Sequence, residues 1–148
     1  MKTTPSHNKN SAYSKPQTDE TVYSGPIIAA TLSTLLGLLT LVVTHHVSRL
    51  TKGLDQMIHS FGYWIPGATG TGPDGSIGSY SGKETLALVV WLTCWLAFHI
   101  LWRKQDFSLR AFLPFAIGFL GFLMLGLFHP LIDPVVLLIA GLFGYAAP

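Results

Sequence analysis

The chain has 148 residues, of which 49% are apolar and only 11% are charged. This length gives room for one domain. The formal net charge of +2 comes from residues in the tail and the loops, where it suits anionic lipid more than nucleic acid. The single cysteine excludes an internal disulfide and a cysteine-based metal motif. The apolar residues gather into uninterrupted blocks, which indicates an integral membrane protein.

The first 25 residues form a polar tail with too few apolar side chains to fold alone, and we expect it to be disordered. Three uncharged blocks follow, and each is long enough for a transmembrane helix. A fourth block, residues 134–147, reaches only roughly 21 Å as a helix. A short span is favoured over a half-span or a surface helix, because the six residues HPLIDP, 129–134, are interpreted as a compact hairpin after the third block. The prediction is an all-α integral membrane protein of three to four transmembrane helices, four favoured, in one domain over residues 26–148, with spans at about 26–47, 82–102, 109–128 and 134–147.

Basic residues predict the orientation of these spans. Arg103, Lys104 and Arg110 crowd the short loop between the second and third spans, and the positive-inside rule places this loop and the N-terminus in the cytoplasm. Loop 48–84 then lies in the periplasm or a lumen. Its first part keeps a helical rhythm, which predicts an interfacial helix on the outer surface, or an extension of the first span bent at Gly53.

A glycine-rich stretch closes this outer loop with GSYSGKET, residues 78–85. It resembles a phosphate-binding loop, but the glycine spacing is one residue short and Glu84 occupies the Ser or Thr position. Ser81 and Glu84 instead match a capping box, S-x-x-E, at the start of the second span. No nucleotide site is therefore expected, and the glycine-rich loop is interpreted as a surface on which another protein docks.

Histidines are the first candidates for chemistry, because five of the six lie in or beside the apolar blocks. Histidine can ligate haem, the magnesium of chlorophyll or a transition metal. His46 and His129 are a candidate axial pair at the outer surface. The favoured alternative is that these histidines simply bond to water, lipid or backbone. The candidate outer cluster comprises His45, His46, His59, His129 and Asp133.

An aromatic stripe on the second span is the second candidate. The stripe consists of Glu84, Trp91, Trp95, Phe98 and Trp102. These residues fall within about 60° of one another on a helix, with His99 at the margin. Helix packing or lipid contact is the favoured interpretation; a pigment or quinone contact is the alternative, with His99 as the best-placed ligand of a tetrapyrrole. The candidate binding residues for haem or chlorophyll are therefore His45, His46, His99, His129, Trp91, Trp95 and Trp102.

Small residues at four-residue steps predict close helix–helix contacts. No nucleophile with a base, paired carboxylate or metal-ligand motif is visible, so an enzyme is not indicated. These features favour an accessory or assembly subunit of a larger membrane complex, with other membrane subunits and lipid as its partners, over a haem- or chlorophyll-binding protein and over a small permease. The predicted packing positions are Ala29, Ser33 and Gly37 in the first span, and Ala140 and Gly144 near the C-terminus.

The block WIPGATGTGPDGSIGSYSGKETLALVVW, followed by His99 and by Arg103 with Lys104, resembles small multi-span membrane proteins of unassigned function from cyanobacteria. The resemblance covers roughly residues 45–130. It implies a thylakoid membrane or the plasma membrane of a phototroph, and a photosynthetic or respiratory assembly as the partner. It transfers no catalytic or binding residues.

Overall fold

The computed structural model describes residues 23–69, 77–142 and 144. Within them lie five α-helices and no strand: α1 (Gly25–Ser48), α2 (Lys52–Ser60), α3 (Tyr80–Trp102), α4 (Leu109–Gly126) and α5 (His129–Leu142). α1, α3 and α4 are long and apolar enough to cross a membrane, which confirms the all-helical prediction at this level. Most of the predicted disordered tail and the centre of the glycine-rich loop lie outside the described residues.

α1 is the central helix, and its small-residue face is the surface on which α3 packs. Ala29 and Ser33 are completely buried. A Cβ atom added at Gly37 would lie 2.9 Å from the Cβ atom of Trp91 and 3.2 Å from the carbonyl oxygen of Ala87. At the start of α1, a Cβ atom on Gly25 would overlap the carbonyl oxygen of Trp102. Contacts at both places make α1 and α3 an antiparallel pair along most of their length.

α4 packs on another side of α1. Leu35 of α1 meets Ala116 and Leu123 of α4 in a small apolar core. The packing is uneven among the long helices: 33% of the most apolar stretch of α1 is buried, against 11% for α4 and 0% for α3. The two flanking helices therefore leave most of their apolar side chains facing away from the protein.

The N-terminal end of α1 is held by the α3–α4 loop, residues 103–108. The buried Ser24 hydroxyl donates to the Asp106 carboxylate at 2.7 Å and accepts from the Phe107 N–H at 2.6 Å. The Gly25 N–H donates to the Gln105 carbonyl at 3.0 Å. The bond from Gly25 satisfies a backbone N–H group that has no partner within the helix at the start of α1.

α5 begins at His129, so the predicted start of the last apolar helix at residue 134 is wrong. The segment interpreted as a hairpin forms the first turns of this helix, where the N–H groups of Leu131 and Ile132 donate to the Phe128 carbonyl. Pro130 is tolerated because a first-turn residue needs no N–H donor. With 14 residues, α5 spans roughly 21 Å, less than the thickness of the hydrocarbon core.

α3 begins two residues earlier than the capping box predicts. Ser79 occupies the N-cap, and the Ser81 hydroxyl donates to the Gly78 carbonyl at 3.0 Å instead of capping the helix. The predicted capping box of Ser81 and Glu84 therefore does not form, since both residues lie within α3. Gly78 has a φ of 68°, a left-handed conformation that glycine adopts readily, and it turns the chain into the helix at this point.

α2 is a separate helix and not a bent extension of α1. The extended Thr51 precedes it, and its side-chain hydroxyl accepts from the Leu54 N–H at 3.1 Å. Gly53 lies inside α2, so the predicted bend at that residue is wrong. Ile58 is the buried residue of α2. Its backbone lies so close to Gly82 that no side chain would fit at position 82.

Candidate functional site

A cluster of three histidines connects the end of α1 to the start of α5. The Nε2 atoms of His45 and His129 lie 2.8 Å apart, and the His46 Nε2 atom lies 2.7 Å from the Gly126 carbonyl oxygen. The ring centroids are 4.9 to 5.9 Å from one another. The structure therefore brings together three of the five residues of the candidate outer cluster.

The hydrogen bonds fix which ring nitrogens carry protons. His46 must carry a proton on Nε2, because its partner is a carbonyl oxygen, which only accepts. Between His45 and His129 one Nε2 atom donates and the other accepts. Two protonated rings would point N–H at N–H, so this pair holds together only while one of the two rings is neutral. A metal approaching Nε2 of any of the three would have to displace an existing hydrogen bond.

One helical turn further on, Arg49 and Asp133 form an ion pair with two hydrogen bonds, at 2.8 and 3.1 Å. Arg49 follows His45 by four residues, and Asp133 follows His129 by four residues, so the two contacts stack one turn apart. Hydrogen bonding from Arg49 lowers the pKa of the Asp133 carboxyl below its usual value. Both side chains are partly exposed to solvent, so we expect the ion pair to contribute modestly to stability.

Lys83 in the first turn of α3 is a buried cation beside this cluster, and sequence reasoning missed it. It is 4% exposed, and its ammonium group lies 4.8 Å from the centre of the Tyr80 ring. Four charged or titratable groups interact electrostatically with His45. They are His46 on α1, Arg49 at the end of α1, Lys83 on α3 and His129 on α5. The sequence shows a lysine three residues after a tyrosine at the start of a helix, which is the spacing of a cation–π contact. It does not show that Lys83 is buried, because α2 packs against the neighbouring Gly82 only in the folded protein.

His59 is not part of the histidine cluster. Its Nε2 atom donates to the Ala68 carbonyl at 2.8 Å, and its ring lies edge-on to Tyr63 with centroids 5.0 Å apart. Trp64 in the same segment donates through Nε1 to the Thr85 hydroxyl at 3.1 Å. These bonds attach residues 61–69 to α2 and α3. The hydrogen bond of His59 therefore holds this segment in place and is separate from the histidine cluster.

The aromatic stripe of α3 divides between two environments. Trp91 lies against Gly37 of α1. Trp95 stacks on His99 with centroids 5.5 Å apart, and Trp102 stacks on Phe98 at 4.7 Å. His99 lies about five turns along α3 from its first residue, Tyr80, at the end of the helix that meets the histidine cluster. The two sets of candidate cofactor ligands are therefore separate. Binding of haem or chlorophyll at either place stays a prediction.

The second predicted packing pair, Ala140 and Gly144, does not lie on one helix. The side chain of Ala140 lies outside the described part of the structure. Gly144 follows the last described residue of α5 and has a φ of 77°, which is not helical. A Cβ atom at Gly144 would meet no other atom within 4 Å.

Acidification is expected to separate α5 from α1 in two steps. The His45–His129 bond should be lost once both rings carry a second proton, because both Nε2 atoms then carry a hydrogen. The ion pair should persist in mild acid: the lowered pKa of Asp133 keeps the carboxyl charged, and its stabilising contribution disappears only as the pH falls below the ordinary carboxyl value of about 3.9. Both steps would be measured by electron paramagnetic resonance, as changes in the distance between spin labels at the exposed Val43 and Leu138 in a Cys94→Ser background.

The matched variants for this experiment are His129→Gln and His59→Gln. We expect His129→Gln to remove the histidine step, because glutamine does not gain a proton. His59→Gln should keep it, since His59 bonds to Ala68 and not to α5. A label distance that changes only with the Asp133 step in the unmodified protein would contradict the role given to the histidine pair.

The cluster can hold a proton between two imidazoles and change the charge at a helix–helix contact. In the part of the chain that the structure describes, no hydroxyl or thiol group is hydrogen-bonded to a histidine ring, and no group of three or more His, Cys, Asp or Glu side chains is arranged to hold a metal ion. Comparison of the chain with protein-family models, with curated proteins and with solved structures finds no match.

Proposed function

We propose that this protein is a non-catalytic accessory or assembly subunit of a larger membrane complex, of the photosynthetic or respiratory electron-transport type. The observation that carries the proposal is the open outer surface of the two flanking helices. None of the most apolar stretch of α3 and only 11% of that of α4 is buried within the chain. Such helices are available for packing against other membrane subunits.

Glycines on α4 support docking on that helix. The glycines of α1 and α3 have close neighbours: Gly25 and Gly37 lie against the other helix of the pair, and Gly82 lies against α2. Gly118 and Gly121 of α4 differ, because a Cβ atom at either position would meet nothing within 4 Å. A glycine face without a neighbour in its own chain is suited to the close approach of a helix from another chain.

The type of complex rests on the resemblance of roughly residues 45–130 to cyanobacterial membrane proteins. A thylakoid membrane or the plasma membrane of a phototroph would then contain the complex. The second candidate function is binding of haem or chlorophyll, favoured by the Trp95–His99 pair on the open face of α3, where the two rings stack at an angle of 29°.

Affinity purification from native membranes in a gentle detergent tests the proposal. The unmodified protein is expected to bring down the subunits of one complex in fixed stoichiometry, identified by mass spectrometry. The double variant Gly118→Leu with Gly121→Leu should lose most of these subunits, since leucines fill the open face of α4. Gly141→Leu is the matched control, because a Cβ atom there also meets nothing within 4 Å but lies on α5.

One outcome would contradict the accessory-subunit proposal, and another would contradict only the docking on α4. One is a monodisperse protein that purifies without partners from gently extracted membranes. The other is a complex whose composition is the same for the double variant and the unmodified chain, which would reject docking on α4. The visible spectrum of the eluate distinguishes the second function, since a lone protein with a Soret band would instead support a haem or chlorophyll site.

A further inference from the structure

An open apolar groove of about 460 Å³ lies between α1 and α4, at the end of the protein where the α3–α4 loop holds Ser24. Ile28 and Leu32 of α1 form one wall. Phe112 and Phe115 of α4 form the other, and Trp102 and Phe107 close the end beside the loop. Pockets of this volume commonly hold a small molecule or part of a larger amphiphile. Its lining favours an apolar occupant.

The aromatic walls of the groove are mutually supported. Trp102 and Phe107 meet edge to face, with ring centroids 5.5 Å apart, and Phe112 contacts Phe115 at 6.1 Å. Phe107 is fixed further by the hydrogen bond from its N–H to Ser24. The groove therefore has a shape that is determined by the fold before any occupant arrives.

Positive charge borders the groove at its loop end. Arg103 directly follows Trp102 in the chain, Lys104 is next, and Arg110 lies between two groove residues, Ser108 and Ala111. All three basic side chains are exposed, and the ion pair found among the described residues is elsewhere, between Arg49 and Asp133. Asp106, the acidic residue of the loop, is hydrogen-bonded to Ser24. The start of α4 adds the partial positive charge of a helix N-terminus.

We propose that this groove binds an anionic glycerophospholipid, with an acyl chain between α1 and α4 and the phosphate beside Arg103, Lys104 and Arg110. Charge complementarity supports this ligand, because an apolar groove that ends at a cluster of cations matches a molecule with an apolar chain and an anionic head. The inference is independent of the proposed function, because it concerns a lipid and not a protein subunit.

A second groove in the same protein provides an internal comparison. It lies between α1 and α3, has a volume of about 310 Å³, and is lined by Leu38, Leu41, Leu88 and Trp91. The charged residue of its lining is Glu84, so a negative charge takes the place of the cations. An anionic lipid should therefore prefer the α1–α4 groove, and variants in the α1–α3 groove serve as controls.

Native mass spectrometry of the full chain in detergent, titrated with dioleoyl-phosphatidylglycerol or with dioleoyl-phosphatidylcholine, tests the proposal. We expect one phosphatidylglycerol to bind at least about tenfold more tightly than phosphatidylcholine, because the three cations attract its anionic headgroup and the phosphatidylcholine headgroup carries no net charge. The triple variant Arg103→Gln, Lys104→Gln and Arg110→Gln should remove the preference, while Ala111→Trp should weaken binding of both lipids by filling the groove. Inorganic phosphate should not compete, because it lacks the acyl chain.

The matched controls are Lys52→Gln, which removes an exposed cation on α2, and Leu88→Trp, which fills the α1–α3 groove. Both should bind phosphatidylglycerol as the unmodified chain does. Equal affinity for the two lipids in the unmodified protein would overturn the proposal, as would a preference that survives the triple variant. The triple variant changes only exposed side chains, so it leaves the packing of the helices unchanged even if Ala111→Trp disturbs the helix pair.

Discussion

Gly82→Ala is expected to lower the free energy of unfolding by about 1–3 kcal/mol, the usual range for overpacking a tight contact. The added Cβ atom would overlap the carbonyl oxygen of Ile58 and lie 3.1 Å from the Cα atom of His59. Both are backbone atoms, so no side-chain rotation can relieve the contact and α2 has to move away from α3. Thermal unfolding in detergent, followed by circular dichroism, would measure the loss.

The control for this substitution is Gly118→Ala on α4. A Cβ atom there meets nothing within 4 Å, and alanine is favoured over glycine inside a helix by about 1 kcal/mol. The control should therefore unfold at the same temperature as the unmodified protein or at a higher one. If Gly82→Ala were equally stable, the close approach of α2 to the start of α3 would be refuted.

Gly37→Leu is expected to cost about 3 kcal/mol, at the upper end of typical overpacking costs. Even the first carbon of the new side chain would lie 2.9 Å from the Trp91 Cβ atom, which cannot rotate away, and 3.2 Å from the Ala87 carbonyl oxygen. The remaining leucine atoms would have to push α1 and α3 apart in the middle of their contact. Denaturation by sodium dodecyl sulfate, followed by tryptophan fluorescence, would measure the change.

Gly121→Leu makes the same chemical change on the open side of α4, where a Cβ atom has no neighbour. The isolated chain should tolerate it with little change in the free energy of unfolding. Equal stability of Gly37→Leu and Gly121→Leu would mean that the small-residue face of α1 does not carry the α1–α3 contact.

Sequence reasoning predicted well the features that depend on local composition. The predicted bounds of the three long helices agree with the structure to within two residues, because a membrane-length apolar segment has few alternative structures. The four-residue spacing of Ala29, Ser33 and Gly37 likewise indicated the packing face of α1. The start of α3 was misplaced because Ser79 and Ser81 are both plausible caps, and the choice between them depends on how Gly82 meets α2, which is a tertiary contact.

The candidate site was predicted only in part for the same physical reason. Placing three apolar blocks across one membrane puts His45, His46 and His129 at the same end, so their proximity follows from the connectivity. The pairing of Arg49 with Asp133 depends on the axial register of α1 against α5, and the interpretation of residues 129–134 as a hairpin concealed it. Burial of Lys83 requires α2 to cover the start of α3, which no local pattern in the sequence reports.

The central position of α1 has a consequence for the order in which the protein is assembled. α1 is the first of the three long helices to leave the ribosome, and it is also the helix against which both of the others pack. The α1–α3 pair, with its small-residue contact, can therefore form before α4 joins it, and α4 then adds to the side of α1 that is still free. Each later helix meets a surface that already exists, so folding in chain order does not require a helix pair that has formed to separate again.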